Sequence, residues 1–266
     1  MCSARLQRTR FPHSVVRRVG AWIGALLMLT GLSTGGPIAS GSARSISSAT
    51  VATVSPAAGQ TVGVVHPVTV TFSGAVDDRA AAERAITVAP AGMSDRAIGS
   101  FTWLDNHIVE WTPAEFFPAH TPINVSVGGY TTSFQTGSSV VGVVDLSAFS
   151  FTVSVDGVTA RQMPASMGKP GFATPIGRFT ALSKERRVTF DSRTIGIPLD
   201  DPEGYLINGE YGVRVTWGGV YVHSAPWSVG SQGYANVSHG CINLSPDNAA
   251  WYFNTVRIGD PIIVQA

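Results

Sequence analysis

Short runs in which apolar and polar residues alternate follow one another along most of the chain from residue 50 onward. Pro67–Phe72 and Phe149–Val155 are clear examples, and turn residues such as Asp156 and Gly157 separate one run from the next. A period of two places every second side chain on the same face of a β-strand. The chain is therefore predicted to be mostly β and to bury its apolar residues between sheets.

A first β-sandwich is predicted over residues 50–137. The chain has 266 residues, of which 44% are hydrophobic, and this is enough for two domains with separate cores. Six alternating runs lie in the first domain: Val51–Val54, Pro67–Phe72, Ile86–Val88, Ser100–Trp103, His107–Trp111 and Ile123–Val127. Their spacing favours two antiparallel sheets packed face to face. Trp103 and Trp111 are expected to lie between the sheets, and Ala80–Ala85 is expected to form a short helix.

A second β-rich domain with one main α-helix is predicted over residues 140–266. Its expected strands are Phe149–Val155, Val158–Gln162, Tyr211–Thr216, Val220–Val222 and Pro261–Gln265. Ser245 has the residue type of a helix N-cap, Pro246 suits the first helical position, and Asp247 places an acid in the first turn. The helix is expected to continue to Val256. His223 would then stand at a strand end, where a rigid sheet can aim its ring.

Residues 1–43 have the features of a secretory signal peptide or an N-terminal anchor. Five arginines lie in the first eighteen residues, and the apolar run Val19–Leu32 follows them. Small residues come next, with Ala39 and Ala43 as candidate cleavage points. The run is shorter than the ~20 apolar residues that span a bilayer, which favours a signal peptide. We expect an exported protein of the periplasm or cell wall, or one held at the outer face of the cytoplasmic membrane by an uncleaved segment.

Charge and cysteine content narrow the possible functions. Without those five arginines, 13 of the 18 basic residues remain against 17 acidic ones. A net charge near −4 gives no basic surface for nucleic acid, so no nucleic-acid partner is expected. Cys241 would be the single cysteine of the exported chain. A lone thiol cannot form an internal disulfide, and in an oxidising setting its presence indicates a chemical role.

Cys241 lies in the stretch Ser238–Asn243, and fourteen residues separate His223 from the start of this stretch. A thiol that attacks a carbonyl needs a base to accept its proton and donors to hold the oxyanion, and this stretch supplies candidates for both. A buried, inert cysteine is the ordinary alternative. A zinc site made of His223, His239 and Cys241 is a second alternative, but the spacing provides no Cys-x2-Cys pair and no evident fourth ligand. No metal and no cofactor are therefore expected.

The complete pattern, H-x14-S-H-G-C-x-N, resembles the signature of the YkuD-type L,D-transpeptidases, the cysteine enzymes that cross-link peptidoglycan. Thr174–Gly177 and His223–Ser228 add further matches, and the resemblance covers about residue 140 to the C-terminus. Residues 50–137 resemble the immunoglobulin-like modules attached to the mycobacterial enzymes of this family. The resemblance implies a monomer that takes peptidoglycan stem peptides as substrates and is covalently inhibited by β-lactams of the carbapenem class.

The resemblance also implies how the catalytic residues act. Cys241 would attack the meso-diaminopimelate carbonyl of a tetrapeptide stem, D-alanine would leave, and a second stem amine would take the acyl group to form a 3→3 cross-link. His223 would be the base, with or without a preformed thiolate–imidazolium pair. The backbone carbonyl of Ser224 would hold its ring. The N–H groups of His239, Gly240 and Cys241 would hold the oxyanion, while the His239 side chain would tune the thiol or brace the turn.

Substrate contacts follow from the same resemblance. Asp191–Glu210 would be a mobile flap without regular structure over the cleft. Within it, Tyr205 would cover the acyl donor, although the same residue would also suit a turn aromatic packed on the sheet. Three further elements would contact substrate or wall the cleft: the backbone at Gly218 and Gly219, the indole of Trp227 and the side chain of Asn243.

Several other functions remain open from the sequence. Water in place of the acceptor amine would make the protein an L,D-carboxypeptidase, and a cysteine endopeptidase of the wall is a related possibility. A sortase-like transpeptidase acting on proteins is less favoured because no arginine follows Cys241 before Arg257. A non-catalytic wall-binding protein with two β domains is the alternative of another class, and the intact motif argues against it.

Overall fold

A computed structural model describes residues 50–93 and 95–266 of the protein. The predicted signal peptide or anchor, residues 1–43, lies outside the described residues. Within these residues, no helix is both long enough and apolar enough to cross a membrane.

The first domain is a sandwich of two four-stranded sheets, which confirms the predicted class. In chain order its elements are β1 (Val51–Ser55), β2 (Thr61–Val62), β3 (Val68–Phe72), α1 (Arg79–Ala85), β4 (Ile86–Pro90), β5 (Gly99–Trp103), β6 (Ile108–Pro113), β7 (Pro122–Val127) and β8 (Tyr130–Thr136). One sheet has the order β1-β3-β6-β5 and the other β2-β8-β7-β4. All neighbours are antiparallel except β2 and β8, which run parallel, so the expectation of purely antiparallel sheets was wrong for this pair.

The core between these sheets follows the alternation in the sequence. Along β3, Val68, Val70 and Phe72 are buried while the residues between them face outward. Trp111 is 5% exposed, as predicted for a residue between the sheets. Trp103 is only half-buried at the edge of the core, because an indole N–H needs a polar partner. It finds that partner in a carboxylate oxygen of Glu83 at 2.8 Å.

The second domain is also built from two sheets and carries the main helix. Its elements are β9 (Val140–Asp145), β10 (Ser150–Val155), β11 (Val158–Pro164), β12 (Gly177–Thr180), β13 (Ser183–Asp191), β14 (Leu206–Arg214), β15 (Tyr221–Ser224), β16 (Ile242–Leu244), α2 (Pro246–Thr255) and β17 (Pro261–Gln265). The sheets have the orders β11-β10-β9-β17-β12 and β13-β14-β15-β16. The second sheet ends in a parallel pair, β15 and β16.

Helix α2 starts where the sequence predicts and packs on the core. The Ser245 hydroxyl accepts the backbone N–H of Asn248 at 3.4 Å, and Pro246 occupies the first turn. The helix ends at Thr255, one residue before the predicted end. Its Tyr252 is 1% exposed and meets the edge of the Phe151 ring with 4.8 Å between centroids. The helix therefore fixes the sheet that carries β15 and β16 against the rest of the domain.

The segment predicted as a long flap has more regular structure than expected. Strands β13 and β14 form a hairpin whose register runs from Ser183 opposite Arg214 to Asp191 opposite Leu206. The connecting segment is therefore residues 192–205, and the last five residues of the predicted flap belong to β14. Ser192 is fully buried at the start of this segment. Its hydroxyl accepts the N–H of Tyr205 and donates to a carbonyl within the segment.

Backbone hydrogen bonds join the two domains around Asp260. The N–H of Gly63 donates to Ile258 at 2.8 Å, and the N–H of Val65 donates to Gly259 at 2.9 Å. Asp260 has no exposed surface, and its carboxylate accepts the backbone N–H of Arg257 at 2.8 Å. Burial raises the pKa of this carboxyl to about 6, against the lowering effect of the N–H groups that it accepts.

The raised pKa of Asp260 predicts an unusual pH dependence of stability. A carboxyl that binds its proton more tightly in the folded state stabilises the fold fully below its unfolded pKa of 3.8, and this contribution is lost as pH rises through about 6. Asp260→Asn cannot titrate. We expect the free energy of unfolding of the wild type, relative to this variant, to fall by up to about 3 kcal/mol between pH 4 and pH 7 in urea titrations. A difference that is constant with pH would mean that the carboxyl keeps its ordinary pKa.

Candidate active site

The turn Ser238–Cys241 is held in one conformation by hydroxyl groups. Ser238 Oγ donates to the Cys241 carbonyl at 2.7 Å and accepts the Gly240 N–H at 3.1 Å. Gly240 has φ +115°, a backbone conformation that side chains with a Cβ rarely adopt. The buried hydroxyl of Thr174 donates to the Gly240 carbonyl at 2.8 Å and accepts the N–H of Gly168 at 3.0 Å. These bonds fix the direction in which the next residue presents its side chain.

Cys241 is half-buried at the end of this turn, directly before β16. Its Sγ lies 3.7 Å from the carbonyl oxygen of Gly219, to which the thiol can donate a hydrogen bond. Burial raises the pKa of the thiol to about 11, and a hydrogen bond from the backbone N–H of Tyr221 opposes this rise. The resting residue is therefore a thiol, and a base must take its proton when it reacts.

His223 is the base candidate, and its ring is fixed by the backbone. It lies within β15, opposite Asn243 of β16 in the parallel register, and it is 3% exposed. Its Nδ1 lies 2.8 Å from the carbonyl oxygen of Ser224. A carbonyl only accepts, so Nδ1 carries the proton and Nε2 keeps its lone pair. The contact is the one that the predicted role of the Ser224 backbone, as the holder of the ring, requires.

The resting charge state of the pair follows from burial. Burial lowers the pKa of His223 to about 4, against the raising effects of the Ser224 carbonyl and the Asn243 side chain. With the imidazole pKa lowered and the thiol pKa of Cys241 raised, both groups are neutral near pH 7. This geometry favours general base catalysis over a preformed thiolate–imidazolium pair, which was one of the two predicted forms.

A cavity of about 230 Å³ brings most of the predicted residues together. Its lining consists of Phe190, Tyr205, Ile207, His223, Trp227, Val237, Ser238, His239, Cys241 and Asn243. The indole of Trp227 is 52% exposed, and its ring centroid lies 5.9 Å from that of His223. The ring centroid of Phe190 of β13 lies 4.4 Å from that of His223. The cavity is a mainly apolar cleft in which the thiol and the base face the same space.

Gly218 and Gly219 do not line this cavity but form the turn between β14 and β15. The N–H of Gly219 donates to Thr216 at 3.2 Å, and its φ of +100° needs glycine. Only the Gly219 carbonyl reaches the site, through its contact with Cys241. For Gly218 the structure gives a turn position and no contact with the cleft.

One of the three predicted oxyanion donors has a partner inside the turn. The N–H of Gly240 donates to Ser238 Oγ at 3.1 Å. That Gly240 contributes its N–H to the oxyanion stays a prediction. The N–H groups of His239 and Cys241 stay as predicted donors.

Asn243 is supported by side chains that the sequence did not reveal. It is 3% exposed, its amide nitrogen donates to Ser228 Oγ at 3.1 Å, and Ser228 Oγ also accepts from Gln232 at 3.2 Å. This buried network holds the amide beside the imidazole. The sequence signal for it is weak, because Ser228 and Gln232 are common surface residue types with no distinctive spacing.

Tyr205 and His239 lie side by side in the lining of the cavity that contains the thiol. The Tyr205 ring centroid lies 5.0 Å from that of His239, and the Phe172 ring centroid lies 4.6 Å from that of His239. Nε2 of His239 lies 3.0 Å from a carboxylate oxygen of Glu203. These contacts favour the bracing role of the His239 side chain. They also place Tyr205 at the cleft rather than in the sheet core.

Tyr205→Ala is expected to slow acylation of Cys241 while the melting temperature changes by less than about 2 °C, because a half-buried residue of a surface segment contributes little to the core. Stopped-flow acylation by imipenem and thermal unfolding would measure both effects. Tyr234→Ala is the matched control, since Tyr234 is 79% exposed and does not line the cavity. A fall of many degrees for Tyr205→Ala would show that Tyr205 is a core aromatic.

Metal binding is the other function that the sequence suggests for His223, His239 and Cys241. Among residues 50–93 and 95–266, no group of three or more His, Cys, Asp or Glu side chains is arranged to hold a metal ion. That the protein needs no metal stays a prediction. Retention of acylation in EDTA would support it, and loss of acylation that zinc restores would overturn it.

Comparison with known proteins agrees with this geometry. Residues 139–264 match the model of the YkuD L,D-transpeptidase catalytic domain, and residues 41–133 match a bacterial Ig domain. The chain is 58% identical to L,D-transpeptidase 1 of Mycobacterium tuberculosis over 214 residues, which are 80% of this chain and 84% of that protein.

Solved structures give the same result. An L,D-transpeptidase from Mycobacterium smegmatis superposes with a TM-score of 0.78 at 65% identity, covering 82% of this chain and 99% of the other. An LD transpeptidase in complex with imipenem superposes with a TM-score of 0.75 at 58% identity, covering 81% and 98%.

Proposed function

Because the chain belongs to the L,D-transpeptidase family, we propose that Cys241 is its nucleophile and His223 its general base. The protein is a peptidoglycan L,D-transpeptidase. The observation that supports the roles of the two residues is the contact between His223 Nδ1 and the Ser224 carbonyl at 2.8 Å. It leaves Nε2 as the basic nitrogen in the cavity that also contains the thiol.

During acylation, His223 first accepts the thiol proton and then donates a proton to the leaving amine. Nε2 of His223 takes the thiol proton as Sγ of Cys241 attacks the meso-diaminopimelate carbonyl of a tetrapeptide stem. The tetrahedral intermediate then expels D-alanine, and the imidazolium returns the proton to its amine. A thioester and neutral His223 remain. The N–H groups of His239 and Cys241 are the proposed oxyanion donors, and one such donor contributes about 10²–10³-fold to the rate.

Transfer to the acceptor reverses these roles. The side-chain amine of a second stem attacks the thioester, Nε2 of His223 accepts a proton from that amine, and the C–S bond breaks. The proton then returns to the departing Sγ, which restores the thiol and leaves a 3→3 amide cross-link. The cleft walls, Trp227 and Phe190, are apolar. An apolar wall limits the access of water to the thioester and so favours the amine as acceptor.

The same thiol is the proposed site of carbapenem acylation. Sγ of Cys241 would add to the β-lactam carbonyl, the ring C–N bond would open, and the thiol proton would reach the ring nitrogen through His223. A relative with 58% identity has been solved with imipenem, which supports this assignment.

Product analysis tests the transfer step. The purified protein would be incubated with a tetrapeptide-stem donor and a second stem as acceptor, and the products would be identified by mass spectrometry. We expect the 3→3 cross-linked dimer together with free D-alanine. Free tripeptide with no dimer would instead make the protein an L,D-carboxypeptidase.

We further propose that the protein acts as an exported monomer. The arginine-rich start of the chain and the apolar run Val19–Leu32 support export. Cell fractionation with detection of the chain in wall or membrane fractions would test the location, and sedimentation of the purified protein would test the monomeric state.

A further inference from the structure

Glu203 connects the segment 192–205 to two other parts of the cleft. One of its carboxylate oxygens lies 2.5 Å from Nζ of Lys169 and 3.0 Å from Nε2 of His239. Lys169 belongs to the loop that follows β11, and His239 immediately precedes the Gly240–Cys241 end of the catalytic turn. A single carboxylate therefore ties the segment to a loop and to the turn that carries the nucleophile.

The position of Glu203 determines that of Tyr205. Only Gly204 separates the two residues, and a Cβ at Gly204 would lie 2.4 Å from the carbonyl oxygen of Pro198. The N–H of Gly204 also donates to Asp201 at 2.8 Å. Since the chain is this tightly folded here, Glu203 and Tyr205 must move together. A shift of the Glu203 carboxylate away from His239 would also remove Tyr205 from the ring that it covers.

The contact also sets the proton arrangement of His239. An ionised carboxylate can only accept, so Nε2 of His239 carries a proton and donates it to Glu203. The side chain of His239 is 16% exposed, that of Lys169 is 26% exposed, and that of Glu203 is 46% exposed. Because Glu203 is nearly half exposed, water screens these charges, and the two contacts act by fixing the position of the carboxylate more than by their strength.

We propose that Glu203 is a positioning residue for acylation, holding the segment 192–205 closed so that Tyr205 and His239 stay over the thiol of Cys241. The effect of Glu203 on the acylation rate rests on the proposed function, whereas its effect on the position of the segment does not. The motif does not include Glu203. Its role follows from two contacts, one with a residue 34 positions earlier and one with a residue 36 positions later.

Amide hydrogen exchange of the unliganded protein gives the first test. In Glu203→Ala, peptides from residues 192–205 are expected to exchange about three- to tenfold faster, while β15 and β16 keep wild-type rates. Glu210→Ala is the matched control, because Glu210 pairs with Arg186 at 3.2 Å, is 49% exposed and stands outside the cleft. Equal exchange in both variants would overturn the proposal.

The reactivity of the thiol gives the second test and separates positioning from a loss of structure. Opening of the segment exposes Cys241, so iodoacetamide should alkylate Glu203→Ala about threefold faster than wild type. At low concentration, imipenem should acylate the same variant about tenfold more slowly. The half-saturating concentration of imipenem should rise, and the limiting rate should stay unchanged. Changes of both rates in the same direction would overturn the proposal.

A double-mutant cycle tests the ion pair itself. Glu203→Gln keeps the shape of the side chain but removes its charge, and Lys169→Gln removes the partner charge. If the two charges act through their contact with each other, the acylation rate of the double variant should fall no further than that of the more impaired single variant. Additive losses would overturn the assignment of Lys169. If imipenem failed to acylate the wild type, the proposed function would fail, but the exchange experiment would still decide the role of Glu203.

Discussion

Cys241→Ala should leave the fold intact and abolish both acylation by imipenem and formation of the 3→3 cross-link. The side chain is half-buried, and its Sγ contacts the Gly219 carbonyl only weakly, at 3.7 Å. Loss of one sulfur atom at such a position leaves no large cavity, so the melting temperature should change by only a few degrees. The activity, by contrast, should be lost completely because no covalent intermediate can form.

Intact-mass spectrometry after incubation with imipenem measures this directly. The wild type should gain the mass of one imipenem, and the alanine variant should gain none. Cys241→Ser is a useful companion, because an alcohol at the same site is a far weaker nucleophile than a thiol and should react very slowly. An adduct on Cys241→Ala would mean that another residue is acylated, and the assignment of the nucleophile would be wrong.

The second large loss of acylation is expected when His223 is replaced, and not when Ser224 is replaced. His223→Ala removes the proposed general base, whose Nε2 keeps its lone pair, so acylation should fall about 10²–10⁴-fold. Ser224→Ala keeps the backbone carbonyl that accepts from His223 Nδ1. It should therefore stay within about tenfold of the wild type, which corresponds to about 1.4 kcal/mol of barrier.

Stopped-flow acylation of the wild type and both variants would compare these rates, with thermal unfolding as the check on folding. The pH dependence adds an independent measurement. Because burial lowers the pKa of His223 to about 4 and raises that of Cys241 to about 11, the wild-type rate should show no inflection near the ordinary histidine value of 6.5. Equal losses for Ser224→Ala and His223→Ala, with both folded, would make the Ser224 hydroxyl a functional member of the site.

Strands with clean alternation could be predicted from the sequence, and strands without it could not. Phe149–Val155 was predicted to within one residue of strand β10, because Phe151 and Val153 alternate with polar residues and are buried. Strand β13 was missed because Ser183–Asp191 carries five charged residues in a hairpin with much of its surface in water. Its partner β14 was shortened in the prediction, since Gly209 resembles a loop residue.

The structure gives the physical reason for that glycine. A Cβ at Gly209 would lie 2.5 Å from the ring of Phe190, and one at Gly212 would lie 3.0 Å from Val188. Both glycines therefore lie where a neighbouring side chain covers the strand. Such a requirement depends on the partner strand and cannot be recognised from local sequence alone.

Residues of the candidate site also divide into those that the sequence could identify and those that it could not. Cys241 and His223 were recognisable because the motif fixes their spacing, and the role of the Ser224 carbonyl was implied by the resemblance to the family. Thr174 reaches Gly240 across 66 positions, and Glu203 reaches His239 across 36. These contacts arise from the topology of two sheets, so only the folded structure reveals them.

The neutral resting state of Cys241 also bears on how long the enzyme survives. Peroxides and disulfides attack the thiolate far faster than the thiol. A thiol whose pKa is raised to about 11 by burial presents almost no thiolate to such oxidants at neutral pH. Sulfur becomes nucleophilic only when a carbonyl is bound close enough for His223 to take the proton. If the protein is exported, as we propose, its nucleophile would resist oxidation between turnovers, because the reactive thiolate forms only in the presence of substrate.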